Sequence, residues 1–352
     1  MKRFVALLLL VGLMACQTAA PTPAPHTAVP ITLRLMVHDS FEISEATLAQ
    51  FTAETGHHVE IFKAGDAGEM VNKAVLSSEA PLADVLFGVD NTFLSRALEN
   101  EIFLPYNSPE LINIPDALEL DPEHRALPVD YGDVCLNYDK AWFTENGLQP
   151  PQTLADLATP AYAKLTVVEN PATSSPGLAF LLATIATFGE DGYLAYWQQL
   201  VANEVLVVSD WSSAYYGEFT AASESGTRPI VVSYASSPPA EVYFAESALE
   251  EAPTAAVTSP GSCFRQIEFV GVLRGTAHEE AAHQLVDFIL SKTFQEDIPL
   301  NMFVYPANET AALPPVFVEH SVIPAEPATL DYTQISTNRE AWVQAWTEVV
   351  VR

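Results

Sequence analysis

The chain has 352 residues, 49% of them hydrophobic, which is enough for one large or two ordinary domains with real cores. Its 45 acidic residues outnumber 15 basic ones, for a formal net charge of −30. Such a surface repels nucleic acid and argues against a phosphate-tracking role, while it draws small cations inward.

The N-terminus carries an export pattern. Lys2 and Arg3 precede the apolar run FVALLLLVGLM, too short to span a bilayer comfortably, and Cys16 follows at its end. The arrangement resembles a bacterial lipoprotein signal, which predicts removal of residues 1–15 and lipidation of Cys16. Next, QTAAPTPAPHTAVP is rich in Pro, Thr and Ala without apolar periodicity, and reads as a flexible tether over 16–30. No second long apolar stretch follows, so the lipid is the only membrane anchor expected. Loss of the signal takes away Lys2 and Arg3 and no acid, leaving the mature chain more acidic still. Cys135 and Cys263 then remain, and in an oxidising compartment an even pair predicts a disulfide. Closing so long a loop is worth about 4–5 kcal/mol in the chain-entropy model.

From residue 31 the pattern alternates between strand and helix periods. ITLRLMV reads as a strand and SEATLAQFTAETG as an amphipathic helix stopped by Gly56. HHVEIFK and GEMVNKAVLSS repeat the pair, and ADVLFGV with NTFLSRALENE repeats it again, implying a parallel sheet flanked by helices. ALPVDYGDVCLNYDKAWF is long and extended, a strand passing from one lobe to another. LTVVE begins a second α/β series. The helix over 176–188 follows it, with Ser174 or Ser175 as N-cap and Pro176 at the first helical position. YLAYWQQLVAN (helix), VLVVS (strand), SSAYYGEFTAAS (helix) and PIVVSYAS (strand) come next. FRQIEFVGVL is the strand crossing back, EEAAHQLVDFILSKTFQEDI a helix, and NREAWVQAWTEVVV the last helix, with Trp342 and Trp346 four apart as packing residues.

The fold class expected is α/β and two-lobed, each lobe a parallel-dominated sheet with flanking helices and a cleft between. Residues 31–130 with about 265–300 would form the first lobe, and about 131–264 with 301–352 the second. Ligands of open α/β sheets gather where strands end, which nominates His38, Asp39, Ser40, Asp66, Asp90 and Asn91 in the first lobe. The second lobe offers Ser174, Ser175, Trp211, Tyr234 and Ser237. Each has a plainer reading: Asp66, Asp90 and Asn91 as helix caps, the rings as core, and Asp130 and Tyr131 as anchors of the crossover.

The segments VHDSF, ADVLFGVDN, PVDYGDVCLNYDK, NPATSSPGLAFLL, VVSDWSSAYYGEF, IVVSYASSP and FVYPAN, with EAWVQAW near the end, occur in an order that covers nearly the whole mature chain. In that combination the sequence resembles the thiamine-binding receptors of bacterial ABC importers, within the type II periplasmic-binding-protein class. The resemblance implies an extracytoplasmic binder of thiamine or its phosphate esters, delivering to a permease and its ATPase without a cofactor; a monomer is expected because no apolar surface stripe is left over for a partner. It carries ligand contacts to Asp66, Ser174, Ser175, Trp211, Ser233, Tyr234, Ser237 and Phe303, and the cleft set adds Tyr131, Tyr215 and Tyr305. Two departures stand out: His38 where the family has a tyrosine, and Ala240 where some relatives place a ring.

Thiamine combines an aminopyrimidine, a fixed positive thiazolium and a hydroxyethyl tail. Rings and carboxylates suit it: a cation over an aromatic face gains about 0.5–2 kcal/mol, and an acid offsets desolvation of the charge. A ferric receptor using Tyr215 and Tyr216, and a polyamine receptor using the acids, are the alternatives on the same fold. The sequence holds no G-x-S-x-G, no H-E-x-x-H and no zinc spacing, so an enzyme and a metal site are not expected.

Overall fold

The first third folds as its periodicity dictates. Strand β1 (Thr32–Val37) leads to helix α1 (Glu45–Thr55), which starts where Ser44 accepts the Thr47 N–H and ends on Gly56 at φ 77°. Then come β2 (His58–Lys63), α2 (Ala67–Leu76), the fully buried β3 (Val85–Asp90) and a short α3 (Leu94–Glu99). This is a computed structural model, and it describes residues 30–351. The expected signal, Cys16 and nearly all of the tether lie outside the described residues.

After the two-residue β4 (Phe103–Leu104) comes the long strand β5 (Leu127–Asp139), which runs straight into α4 (Lys140–Asn146). The second series is β6 (Thr166–Glu169), α5 (Ser175–Phe188), α6 (Tyr193–Ala202), β7 (Leu206–Val208), β8 (Ile230–Tyr234) and α7 (Pro238–Tyr243). Strands β9 (Thr254–Val257) and β10 (Phe264–Leu273) precede α8 (Glu279–Leu290), α9 (Lys292–Gln295) and α10 (Ile298–Asn301). The pair β11 (Tyr305–Pro306) and α11 (Pro315–His320) leads to the closing α12 (Tyr332–Val350).

Pairing joins these strands in the order β2-β1-β3-β10-β5-β8-β6-β7. At one end β1 lies parallel to β2 and β3, and at the other β6 lies parallel to β7 and β8. The two long extended segments cross between them: β5 and β10 pair antiparallel with each other, β10 with β3 and β5 with β8. The sheet is therefore mixed, with a parallel run in each half. The predicted disulfide forms between Cys135 on β5 and Cys263 just before β10, with Cα atoms 4.4 Å apart and a separation of 128 residues. Helix α5 is buried nearly all round, as its composition requires, and Trp197 meets Trp346 edge-on at 5.4 Å between the second half and α12.

Three expectations are corrected. The helix over 279–298 is broken because Ser291 turns extended, at φ −67° and ψ 153°, and Pro299 sits in the first turn of α10. The expected helix at 212–223 is a single wide turn over Ser213–Glu218, closed when the Phe219 N–H donates to the Ala214 carbonyl five residues back. Pro176 is the second residue of α5, not the first, and Ser174 takes the N-cap position without its side chain accepting a backbone N–H.

Candidate functional site

The tips of β1, β2, β6, β7 and β8 converge on a cavity of about 360 Å³, within the range of small-molecule sites. Ten of the expected residues line it: His38, Asp39, Ser40, Asp66, Ser175, Trp211, Tyr215, Tyr234, Ser237 and Phe303.

Local sequence sets each of them. Asp66 caps α2, its Oδ1 accepting the Ala67 N–H at 2.6 Å, while Oδ2 accepts the Trp211 N–H at 3.3 Å from the other half of the molecule. Cap and cavity wall are thus one role for Asp66, not alternatives. The Trp211 indole donates to Ser233 Oγ at 3.0 Å, Ser233 Oγ lies 2.9 Å from Ser237 Oγ, and the ring stacks on Tyr215 at 4.9 Å. Gly132 on β5 leaves room for the Tyr234 ring, since a Cβ there would come within 2.8 Å of it. Gly88, at φ +97°, does the same for His38, whose Cδ2 would be 2.3 Å from an added Cβ.

The floor is acidic. Asp90, Glu268 and Asp130 face one another in register on β3, β10 and β5, so three carboxyl groups lie side by side on one face of the sheet. His38 Nε2 sits 3.5 Å from Glu268 Oε2, an ion-pair distance without hydrogen-bond alignment. Burial alone would lower the His38 pKa, but Glu268, Asp66 and Asp90 outweigh it and raise the imidazole toward its charged form. Burial pushes Asp90 up to about 7 and Asp130 well above the usual carboxylate range, with Glu268 adding to both. Burial also raises Asp66, only partly offset by Ser174, the Ala67 N–H and His38. Glu169, at the tip of β6, is raised by burial too. Among the described residues no Lys or Arg lines the cavity, and neither carboxyl oxygen of Asp130 or Glu169 has a hydrogen-bond partner.

Six expected contacts lie off the cavity wall, Ser233 among them, buried where it accepts from the Trp211 indole. Asp90 sits behind it, its Oδ1 accepting the Thr92 N–H and its Oδ2 the Gln266 Nε2. Asn91 stitches β3 to β10 through the Arg265 carbonyl and the Ile267 N–H. Ser174 is fully buried, its Oγ near enough to the Asp66 carboxyl to favour the ionised form but without hydrogen-bond alignment. Tyr131 and Tyr305 stack on each other at 5.3 Å on the β5–β11 ladder, where Arg265 covers Tyr131 and Ser321 holds the Tyr305 hydroxyl.

Other wall residues lay outside the strand-tip argument. Gln266 and Glu268 come from the middle of β10, a crossing strand. Gln266 is the hub of the floor, accepting from the Tyr234 hydroxyl at 2.9 Å and donating to Asp90 and to Ser175 Oγ. The signal for both was present: two polar residues at i and i+2, sharing one face of a strand that is apolar from Phe269 onward. Glu42, Tyr216, Phe244 and Met302 complete the rim.

The tyrosine pair is poorly suited to iron. The Tyr215 hydroxyl donates to Glu241 at 2.6 Å, and burial with Glu241 raises its pKa well above the usual phenol value, so it holds its proton. Among the described residues no group of three or more His, Cys, Asp or Glu is placed to hold a metal ion.

The chain is 30% identical over 338 residues to the thiamine-binding periplasmic protein of Escherichia coli strain K12, covering 94% of this chain and 96% of that one. It is 29% identical to the protein of the same name from Salmonella typhimurium, over 100% of both. A solved periplasmic thiamin binding protein superposes with a TM-score of 0.80 at 26% identity, over 91% of this chain and 96% of the other. The periplasmic binding protein AfuA from Actinobacillus pleuropneumoniae shares the fold alone, at a TM-score of 0.77 and 19% identity, over 91% and 99% of the two chains. These matches bear out the type II periplasmic-binding-protein architecture. The family of bacterial extracellular solute-binding proteins matches residues 80–338, and the chain belongs to it.

Proposed function

We propose that this solute-binding protein carries thiamine in the cavity between its two halves. Family membership makes the chain an extracytoplasmic solute-binding protein of an ABC importer and not an enzyme; the ligand is what the proposal adds. One observation carries it. Carboxyl groups at Asp66 and Glu268, with Asp90 and Asp130 behind, share a cavity with Trp211, Tyr215 and Tyr234, and among the described residues no Lys or Arg lines it, His38 being the one basic side chain on the wall. That is the environment a flat, permanently cationic heteroaromatic ring requires, because rings solvate its faces and acids its charge. Ser175, Ser237 and Gln266 offer hydroxyl and amide groups to an aminopyrimidine or a hydroxyethyl tail. The relatives named for thiamine support the same choice.

In this reading residues 31–130 with about 265–300 move against about 131–264 with 301–352, closing on the ligand, and the monomer presents its closed form to the permease. Cys16 bears the lipid, so a Cys16→Ser variant is released from the membrane fraction. Isothermal titration calorimetry with thiamine tests the ligand directly. One site is expected, with a rise in melting temperature that follows ligand concentration, about 2.7 kcal/mol of stabilisation at a hundredfold excess over Kd. Absence of heat and of any thermal shift at millimolar thiamine refutes it. Thiamine phosphates and spermidine belong in the same titration, since the acids also suit a polyamine; displacement of thiamine by spermidine would reassign the site.

A further inference from the structure

Phe244 is a large ring left 68% exposed. It follows α7 directly, lines the cavity, and packs against Phe303 at 5.6 Å and Tyr243 at 5.0 Å between centroids. Ala240, one turn earlier and also on the wall, brings no ring. The fold thus leaves aromatic surface standing at the mouth of a polar cavity, where burial elsewhere in the chain would have been favourable.

Phe303 points the same way. Its φ is 55°, a left-handed backbone that a bulky residue keeps only when its surroundings impose it. Its neighbours Met302 and Val304 both line the cavity, so the strain falls on a segment whose side chains form the wall. Asp66 and Glu268 line the same space. A flat occupant of that space would meet both carboxyl groups and aromatic surface, which favours a positively charged heteroaromatic ring over a neutral or anionic one.

Resting on the thiamine reading above, we propose that Phe244, backed by Phe303, is a ligand-binding residue: a movable aromatic shelf that the ligand's cationic ring covers when it enters. The exposed ring is the half of a contact whose other half is the ligand.

The test compares wild type, Phe244→Ala, Phe244→Trp and Leu76→Ala by calorimetry with thiamine, together with melting of each ligand-free protein. Leu76, 87% exposed on α2 and off the cavity wall, controls for loss of exposed apolar surface. Phe244→Ala is expected to weaken thiamine about tenfold while the free protein melts within about 2 °C of wild type. Phe244→Trp is expected to restore binding, and Leu76→Ala to change nothing. Affinity in Phe244→Ala within about twofold of wild type overturns the proposal. So does a drop of several degrees in its ligand-free melting, which would make the ring structural. If wild type itself shows no thiamine heat, the ligand reading has failed and takes this inference with it; equal affinities sink this inference alone.

Discussion

The ligand-free protein is expected to lose stability as pH rises toward and past neutrality, because its cavity floor holds carboxyl groups that folding keeps from ionising. Asp90 is the measurable case: burial, opposed by the Thr92 hydroxyl and N–H and reinforced by Glu268, lifts it from 3.8 to about 7. A group whose folded pKa lies above its unfolded value contributes full stability below the unfolded pKa and loses it as pH climbs through the folded one. For Asp90 that window runs from 3.8 to about 7. The whole effect is about 4 kcal/mol, of which about 2.5 kcal/mol is lost between about pH 5 and about pH 8. Asp130 and Glu169, both raised by burial, lose stability in the same direction. So does His38, whose raised pKa ties its contribution to the protonated state. Asp121 and Asp210 are lowered and act oppositely, but only below the ordinary carboxylate pKa. Within the window every shifted group of the floor therefore pulls one way. Differential scanning calorimetry without ligand, at constant ionic strength, should show Tm falling by about 4 °C or more from about pH 5 to about pH 8. Asp130→Asn should make that slope shallower, since its carboxyl oxygens have no hydrogen bonds to lose. A Tm that stays flat or rises over this window would refute the reasoning.

Three further outcomes follow from the same geometry. Glu268→Gln removes the carboxylate that faces the cavity and pairs with His38, so thiamine binding should weaken about tenfold to a hundredfold in calorimetry. Gly88→Ala combines a φ of +97° with a Cβ placed 2.3 Å from His38 Cδ2, and should cost about 1–3 kcal/mol or more in urea unfolding while displacing the imidazole. Reducing Cys135–Cys263, which closes 128 residues, should lower stability by up to about 5 kcal/mol, read as a fall in Tm with and without reductant.

Much of this architecture could be read from the chain itself. Strands β1, β2, β3, β6, β7 and β8 announced themselves by period and by the turn residues that bound them, and the two crossing strands by being long and extended. What escaped was set by distant partners. β11 has only two residues and exists because Tyr305 and Pro306 find Tyr131 and Asp130 on β5. The helix over 279–298 breaks at Ser291, a residue whose local propensity gives no such warning. The site divides in the same manner. Strand tips located Asp66, Ser175, Trp211 and Tyr234, because topology alone brings strand tips together. The same rule overreached with Asp90 and Asn91, which reach the tip of β3 but turn to bind the backbone and Gln266 of the neighbouring strand. It missed Glu268 and Gln266, which lie mid-strand and reach the cavity only because β10 runs beneath it.

That placement on β10 has a physical consequence. A carboxylate buried in mid-strand costs the fold free energy unless something compensates it, and here the neighbours in register are two more acids. A domain selected for stability alone would set a Lys or Arg among them, as Arg265 on the same strand is set against Asp133 at 2.8 Å. Its charge is spent on Asp133 and on the face of Tyr131, away from the cavity wall. Among the described residues the floor is left with one imidazole as its positive charge, and burial favours the neutral form of Asp90 and Asp130. On the proposed reading a cationic ligand completes this arrangement as a counter-ion, and in doing so favours release of the protons that had held the acids neutral. Instability of the empty floor and affinity for the cation are then two faces of one electrostatic fact.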